Sequence, residues 1–173
     1  MAGAALAFSG CGGVLGSGVS PTIEAVVPVN CAVDNAVAED QNYGNAVFDA
    51  TSGLPFTGTP RNDFLNAANR NRIFGARLAE LERQRAVLAA LEPKDDIDRQ
   101  FVAASRKDLA QAEALMRFDR KWKPADPKTP TTTPPVPSAI QDLLPTTSDA
   151  VQKRFNACAP PADLAKRTKE YGG

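Results

Sequence analysis

The central third of the sequence, residues 60–123, carries apolar residues that repeat every three to four positions, the spacing of amphipathic helices. A helix is expected to begin at Thr59 and Pro60, because threonine is a favoured N-cap and proline at the first helical position loses no hydrogen bond. Pro93 ends this helix, and Asp95 then places negative charge at the start of a second one, where the helix dipole favours it. The short connection makes the two helices antiparallel, so the sequence predicts a helical hairpin.

Such a hairpin leaves much of its apolar surface in water if its two helices pack only on each other. We therefore expect it to complete its core on other protein subunits, including copies of itself. Glu113 and Arg117 are expected to form an ion pair one turn apart on the solvent side. The side chains expected at the interface are the large apolar residues of the hairpin: Phe64, Phe74, Leu78, Leu81, Leu88, Phe101, Leu109, Met116 and Trp122.

The segment before the hairpin, residues 1–59, is glycine-rich and acidic, with no lysine or arginine before Arg61. Residues 22–33 and 45–50 are rich in β-branched or aromatic residues and are predicted to form short strands. Pro28 restricts the first of these strands to the edge of a sheet. We expect an extended arm with little core of its own.

The segment after the hairpin begins with a proline-rich stretch, residues 124–137, which is predicted to be a stiff spacer. Short helices are expected in the tail that follows, residues 138–173, where Ser138 and Gln141 match a capping box. The predicted fold class is therefore mainly α: a central antiparallel helical hairpin with extended, loop-rich N- and C-terminal arms and short C-terminal helices.

The three cysteines, Cys11, Cys31 and Cys158, are widely spaced and lie outside the hairpin. Without histidine in the chain, their spacing matches no zinc site. Two alternatives are open: three buried thiols in a reducing compartment, or one disulfide plus a cysteine that is lipidated or linked to another chain. A disulfide that closes a long loop contributes on the order of 3–5 kcal/mol, so poorly packed segments would benefit most from one.

Residues 1–11, MAGAALAFSGC, end in a small residue followed by cysteine. This segment resembles the end of a bacterial lipoprotein signal, in which small residues precede the cysteine that becomes lipidated; Ser9, Gly10 and Cys11 match that pattern. The resemblance implies a lipid on Cys11 and a flexible tether that begins at Gly12 and comprises residues 12–58. A membrane partner is expected only through that lipid.

The composition argues against several functional classes. The chain has no histidine, the commonest general base, and no phosphate-binding loop, so we expect a non-enzymatic protein without a cofactor or metal. The formal net charge is zero, and the basic residues are not concentrated on one face. The sequence therefore does not predict nucleic-acid binding.

Two functions are consistent with these features. The first is a structural component of a large assembly, such as a small accessory, linking or decorating protein of a bacteriophage-like virion. In such an assembly, the hairpin docks between subunits, the arms cross neighbouring chains and the cysteines cross-link these contacts. The alternative is a bacterial envelope lipoprotein, lipidated at Cys11, that acts as a tethered interaction module.

Overall fold

Helices account for all the regular structure in the parts of the chain that the computed structural model describes, which are residues 19–51, 67–122 and 132–158. The predicted mainly α fold is therefore confirmed. The helices are α1 (Pro21–Thr51), α2 (Ala67–Ala89), α3 (Asp96–Arg120), α4 (Ala139–Leu143) and α5 (Asp149–Phe155), with a short 3-10 helix, Leu144–Thr146, between the last two. The predicted helix start at residues 59–60, the side chain of Phe64 and Cys11 lie outside the described residues.

The helical hairpin is confirmed by α2 and α3, which pack along each other. Asp95 is the N-cap of α3, and its side chain accepts a hydrogen bond from the backbone N–H of Asp98 at 2.8 Å. At the other end of the connection, the Arg106 guanidinium donates to the carbonyl oxygen of Leu88 at 3.2 Å. The turn is therefore closed by one side chain at each helix end, which satisfies backbone groups that have no partner inside a helix.

The two strands predicted in the N-terminal arm are wrong, because residues 21–51 form the single helix α1. β-branched residues prefer extended backbone only weakly, and burial in another conformation readily overrides this preference. The apolar residues here also follow helical spacing. Pro28 lies inside this helix with its side chain exposed, so its ring does not disturb the core, although it removes one hydrogen bond of the helix. The fully or nearly fully buried members of the stripe are Ile23, Val26, Val29, Val33, Ala36 and Tyr43.

The first helix completes the core that the hairpin was expected to find on another chain. Ser20, just before α1, donates a hydrogen bond to Asp98 in the first turn of α3, whereas Tyr43, near the other end of α1, packs against Trp122, just after α3. Helices α1 and α3 are therefore parallel, with α2 antiparallel to both, and all three pairs are in contact. The hydrophobic core is thus shared by three helices of one chain.

The C-terminal helices pack back onto this bundle. Asp108 of α3 accepts hydrogen bonds from the backbone N–H groups of Ser138, Ala139 and Ile140 at 3.1, 2.8 and 2.8 Å. The predicted capping box is wrong, since Ser138 makes no side-chain cap bond and the carboxylate of another helix takes that role. Burying the carboxylate is tolerated because it meets three otherwise unpaired donors.

Helix α5 then lies against the first half of α1. Phe155 stacks on Phe101 of α3 with a ring-centroid distance of 5.5 Å, and Arg154 forms an ion pair with Glu24 of α1 at 2.9 Å. Of the predicted proline-rich spacer, residues 132–137 have no regular secondary structure, and residues 124–131 lie outside the described parts. The tail is therefore a covering layer on the bundle, at least as far as Cys158.

Candidate functional site

A disulfide joins Cys31 in α1 to Cys158, three residues beyond α5, with the two Cα atoms 5.2 Å apart and 127 positions apart in sequence. It ties the covering C-terminal layer to the first helix. Of the two alternatives that the sequence left open, three buried thiols is wrong and one disulfide is confirmed, and this disulfide lies within one chain. Since the sequence has three cysteines, Cys11 is the one that this bond does not use.

Of the apolar residues predicted to form an intersubunit interface, the eight that the structure describes lie in the core of this chain or pack against it. The reason is that α1, α4 and α5 cover the faces that a bare hairpin would expose. Leu78 keeps only 8% of its surface exposed, and Trp122 is half-buried. The predicted interface residues that are more deeply buried than these are Phe74, Leu81, Leu88, Phe101, Leu109 and Met116.

A pair of carboxyl groups, Asp40 of α1 and Asp119 of α3, lies where these two helices meet near their C-terminal ends. Asp119 is 3% exposed. Burial, together with the charge and hydrogen bond of Asp40, raises the pKa of Asp119 to about 8. Burial also raises the pKa of Asp40, although the hydrogen bond from Asp119 opposes that shift. The pair is therefore expected to hold one shared proton at neutral pH, because two adjacent buried carboxylates repel each other.

Aromatic and basic side chains surround this carboxyl pair. Tyr43 contacts Phe74 of α2 edge-to-face at a centroid distance of 5.0 Å and Trp122 at 6.2 Å. The guanidinium of Arg70 lies 5.9 Å from the centre of the Trp122 ring, within cation–π range. Burial raises the pKa of Tyr43, opposed by Arg70 and reinforced by Asp119. Residues of all three long helices thus close this end of the bundle, and Trp122 takes part in that closure.

The shared proton makes stability depend on pH. Folded Asp119 keeps its proton up to a pH of about 8, whereas an unfolded aspartate loses it near pH 4. The folded state therefore binds the extra proton between these values, and its stability falls as the pH rises through that window. We expect the melting temperature to decrease from pH 5 to pH 8, and to decrease less in Asp119→Asn, which mimics the protonated acid. Thermal denaturation followed by circular dichroism measures both slopes.

Asp142→Asn is the matched control for this experiment, because Asp142 is exposed on α4 and is not near the carboxyl pair. Its melting temperature should follow that of the wild type at every pH. Equal pH slopes in the wild type and Asp119→Asn would show that the proton is not shared.

The opposite end of the bundle contains a cavity of about 330 Å³, formed where α1 and α3 begin and where α5 packs on them. Its floor is apolar and includes Ile23, Phe101 and Val151. Burial acts to raise the pKa of Asp98, but hydrogen bonds from Ser20, Thr22 and the Lys94 backbone outweigh it and hold that pKa below its usual value. The aspartates at this helix start are thus engaged in capping and interhelix bonds. Across the described residues, no group of His, Cys, Asp and Glu side chains is arranged to hold a metal ion.

A groove of about 570 Å³ runs between α2 and α3, toward the end of the bundle that holds the carboxyl pair. Beside it, Glu113 forms ion pairs with Arg85 of α2 and, at 3.2 Å, with Arg117 one turn along α3. The predicted pair of Glu113 and Arg117 is confirmed; Arg117 is exposed as expected, but Glu113 is buried. Glu113 is only 1% exposed because the two arginines cover it.

Sequence reasoning missed the half-buried Asp40 and the buried Asp108 and Asp119, which make polar contacts between helices. The signal for Asp40 was present, since it lies one turn before Tyr43 in the helically spaced stripe of α1. No local pattern marks Asp108, because its partners lie 30 to 32 positions away.

No protein-family model matches this chain, and no curated protein or solved structure matches it either. In residues 19–51, 67–122 and 132–158, no helix combines the length and hydropathy that a bilayer span requires.

Proposed function

We propose that the protein is a bacterial envelope lipoprotein, anchored by a lipid on Cys11, whose disulfide-closed helical bundle is a tethered interaction module. The observation that supports this most is the pairing of Cys31 with Cys158. It leaves Cys11 as the remaining cysteine, and that cysteine follows Ser9 and Gly10 in the segment that resembles a lipoprotein signal.

The disulfide also favours an envelope location. Disulfides form and persist in oxidising compartments such as the bacterial periplasm, whereas cytosolic thiols are kept reduced. A small three-helix bundle benefits from such a bond, because the disulfide restricts the unfolded chain. Both cysteines of the bond therefore have a structural role in this proposal, and Cys11 has a separate, attaching role.

The prediction that residues 12–58 form the tether is wrong, because residues 21–51 form α1. The shorter tether places the bundle close to the membrane. Cys11 and Ser20 are nine positions apart, and an extended chain spans at most about 3.6 Å per residue, so the first helix can begin no more than about 30 Å from the anchor. The end of the bundle with Ser20 and Asp98 is thus the end joined to the lipid.

The virion component suggested by the sequence stays a prediction, but two of its arguments no longer apply. The hairpin finds the rest of its core in α1, and the cysteines Cys31 and Cys158 are paired within the chain. A stable bundle in isolation requires neither neighbouring subunits nor cross-links between them. The envelope proposal uses the same observations without a further assumption about an assembly.

The lipid anchor is tested by expressing the protein from its natural gene in a bacterial host with labelled palmitate. We expect label on the wild type and on Cys158→Ser, membrane recovery of both, and an intact mass that begins at an acylated Cys11. Cys11→Ser should carry no label and leave the membrane fraction. An unlabelled wild-type protein whose N-terminus precedes Cys11 would contradict the proposal.

A further inference from the structure

The groove between α2 and α3 is lined by residues of these two helices and by Lys121, just after α3; no residue of α1 lines it. Its lining on α2 extends from Asn71 to Glu82, about 17 Å at 1.5 Å per residue, and its lining on the α3 side extends from Arg117 to Lys121. Two adjacent helices that leave such a depression offer the position that a fourth helix occupies in a four-helix bundle.

Small side chains on α2 keep this groove open. Gly75 and Ala79 lie one turn apart along it, with Leu78 beside them. A Cβ atom added at Gly75 would contact nothing within 4 Å, so the space above the glycine is free of the chain's own atoms. Another backbone can therefore approach α2 closely here, as small residues allow at helix–helix contacts.

The charge of the groove selects the kind of partner. Arg117, Arg120 and Lys121 line it and are exposed, whereas Glu82 is the acidic residue of the lining. Glu113 forms an ion pair with the Arg117 guanidinium at 3.2 Å, and Asn71 accepts a hydrogen bond from Arg120 at 2.7 Å. These contacts restrain two of the cationic groups along the groove, which lowers the entropy that binding would have to remove.

We infer that this groove binds an acidic amphipathic helix of a partner protein. Carboxylates on one face of that helix pair with Arg117, Arg120 and Lys121, and its small or apolar residues lie against Gly75 and Leu78. This recognition is the helix-in-groove mode, with charge complementarity adding specificity. The inference rests on the proposed function, in which the bundle is an interaction module, and names the partner of that module.

Other occupants fit the groove less well. A second copy of the chain, meeting this face with its own, would bring the same cationic residues together, which is unfavourable. A lipid surface is too flat to enter a depression. The groove also lies near the C-terminal end of α3, a helix of 25 residues and about 37 Å, whereas the tether to Cys11 leaves at the opposite end. It therefore faces away from the proposed anchor.

The test uses the full chain carrying Cys11→Ser, so that it stays in solution without a lipid. The probe is a synthetic helical peptide of about 15 residues, enough to span the groove, with glutamates on one face and alanine and leucine on the other. Trp122, the single tryptophan, follows Lys121 and reports binding by its fluorescence. We expect saturable binding that weakens as salt increases.

Two variants, each with a matched control, identify the groove as the site. The double variant Arg120→Gln with Lys121→Gln should bind about tenfold more weakly, whereas Lys94→Gln with Lys153→Gln, which removes the same charge elsewhere, should not. Gly75→Leu should block binding, and Gly44→Leu should not, although both glycines are helical and have free space where a Cβ would lie. Circular dichroism confirms that each variant is folded.

Several outcomes would overturn the inference: no binding, equal binding of a scrambled peptide with the same composition, or equal binding by the groove variants and their controls. The protein alone is also examined by sedimentation. If it forms a dimer, and if Gly75→Leu abolishes that dimer, the groove binds a second copy of the chain. Stronger binding to phosphatidylglycerol vesicles than to the peptide would assign it to lipid. Because the protein here carries no lipid, these failures are distinct from a failure of lipidation at Cys11.

Discussion

Replacing Cys31 or Cys158 with serine is expected to lower the free energy of unfolding by about 3–5 kcal/mol. The bond joins residues 127 positions apart, so it removes a large part of the conformational freedom of the unfolded chain. It also ties α5 to α1, which the Arg154–Glu24 ion pair joins as well, while Phe155 stacks on Phe101 of α3. Urea denaturation of each variant, and of the wild type with and without reductant, measures the loss.

Cys11→Ser is the control for the disulfide, because it removes a thiol without touching the bond. Its unfolding midpoint should equal that of the wild type in both buffers. The reduced wild-type protein and the serine variants should share a lower midpoint, and addition of reductant to those variants should have no further effect. A midpoint for the reduced wild type equal to that of the oxidised protein would show that the bond does not stabilise the fold.

Placing a charge at Val29 is expected to destabilise the whole bundle, by at least about 3–5 kcal/mol for Val29→Asp. Val29 is fully buried in the stripe that α1 packs against the hairpin. The variant would leave an ionised group without a partner in the core, so α1 would have to leave α2 and α3. Loss of α1 exposes the apolar residues of both, and unfolding should be a single transition.

The matched control is Val136→Asp, because Val136 is 52% exposed and the new carboxylate stays in water. Helical content and melting temperature should be unchanged in this variant. If Val29→Asp instead retained a wild-type melting temperature, α1 would not belong to the core. Independent unfolding of α1 at a lower temperature than the hairpin would show that the hairpin is stable alone.

The sequence predicted the parts of this fold that depend on local interactions and missed those that depend on contacts between distant residues. The hairpin was predictable because the signals are local: apolar spacing along α2 and α3, the Asp95 cap and the break at Pro93. Helix α1 was missed because its β-branched residues and Pro28 favour extended structure locally, although the residues that it buries follow helical spacing. Burial against two other helices decided the conformation.

The candidate site was less predictable for the same reason. Composition identified three cysteines and the signal-like segment before Cys11, but it did not identify which two would pair. The carboxyl pair of Asp40 and Asp119 exists only because α1 and α3 lie side by side. The groove likewise needs the register between α2 and α3 that brings Arg117 and Arg120 opposite Gly75.

By itself, the sequence determined that the fold is mainly helical and where the hairpin turns. These properties depend on neighbouring residues, whose effects are the same in any fold. Tertiary structure alone decided that α1 completes the core, that Cys31 pairs with Cys158, and that Asp40 lies beside Asp119 and raises its pKa. Those outcomes depend on burial and on contacts between distant residues, which become favourable only after the helices have packed.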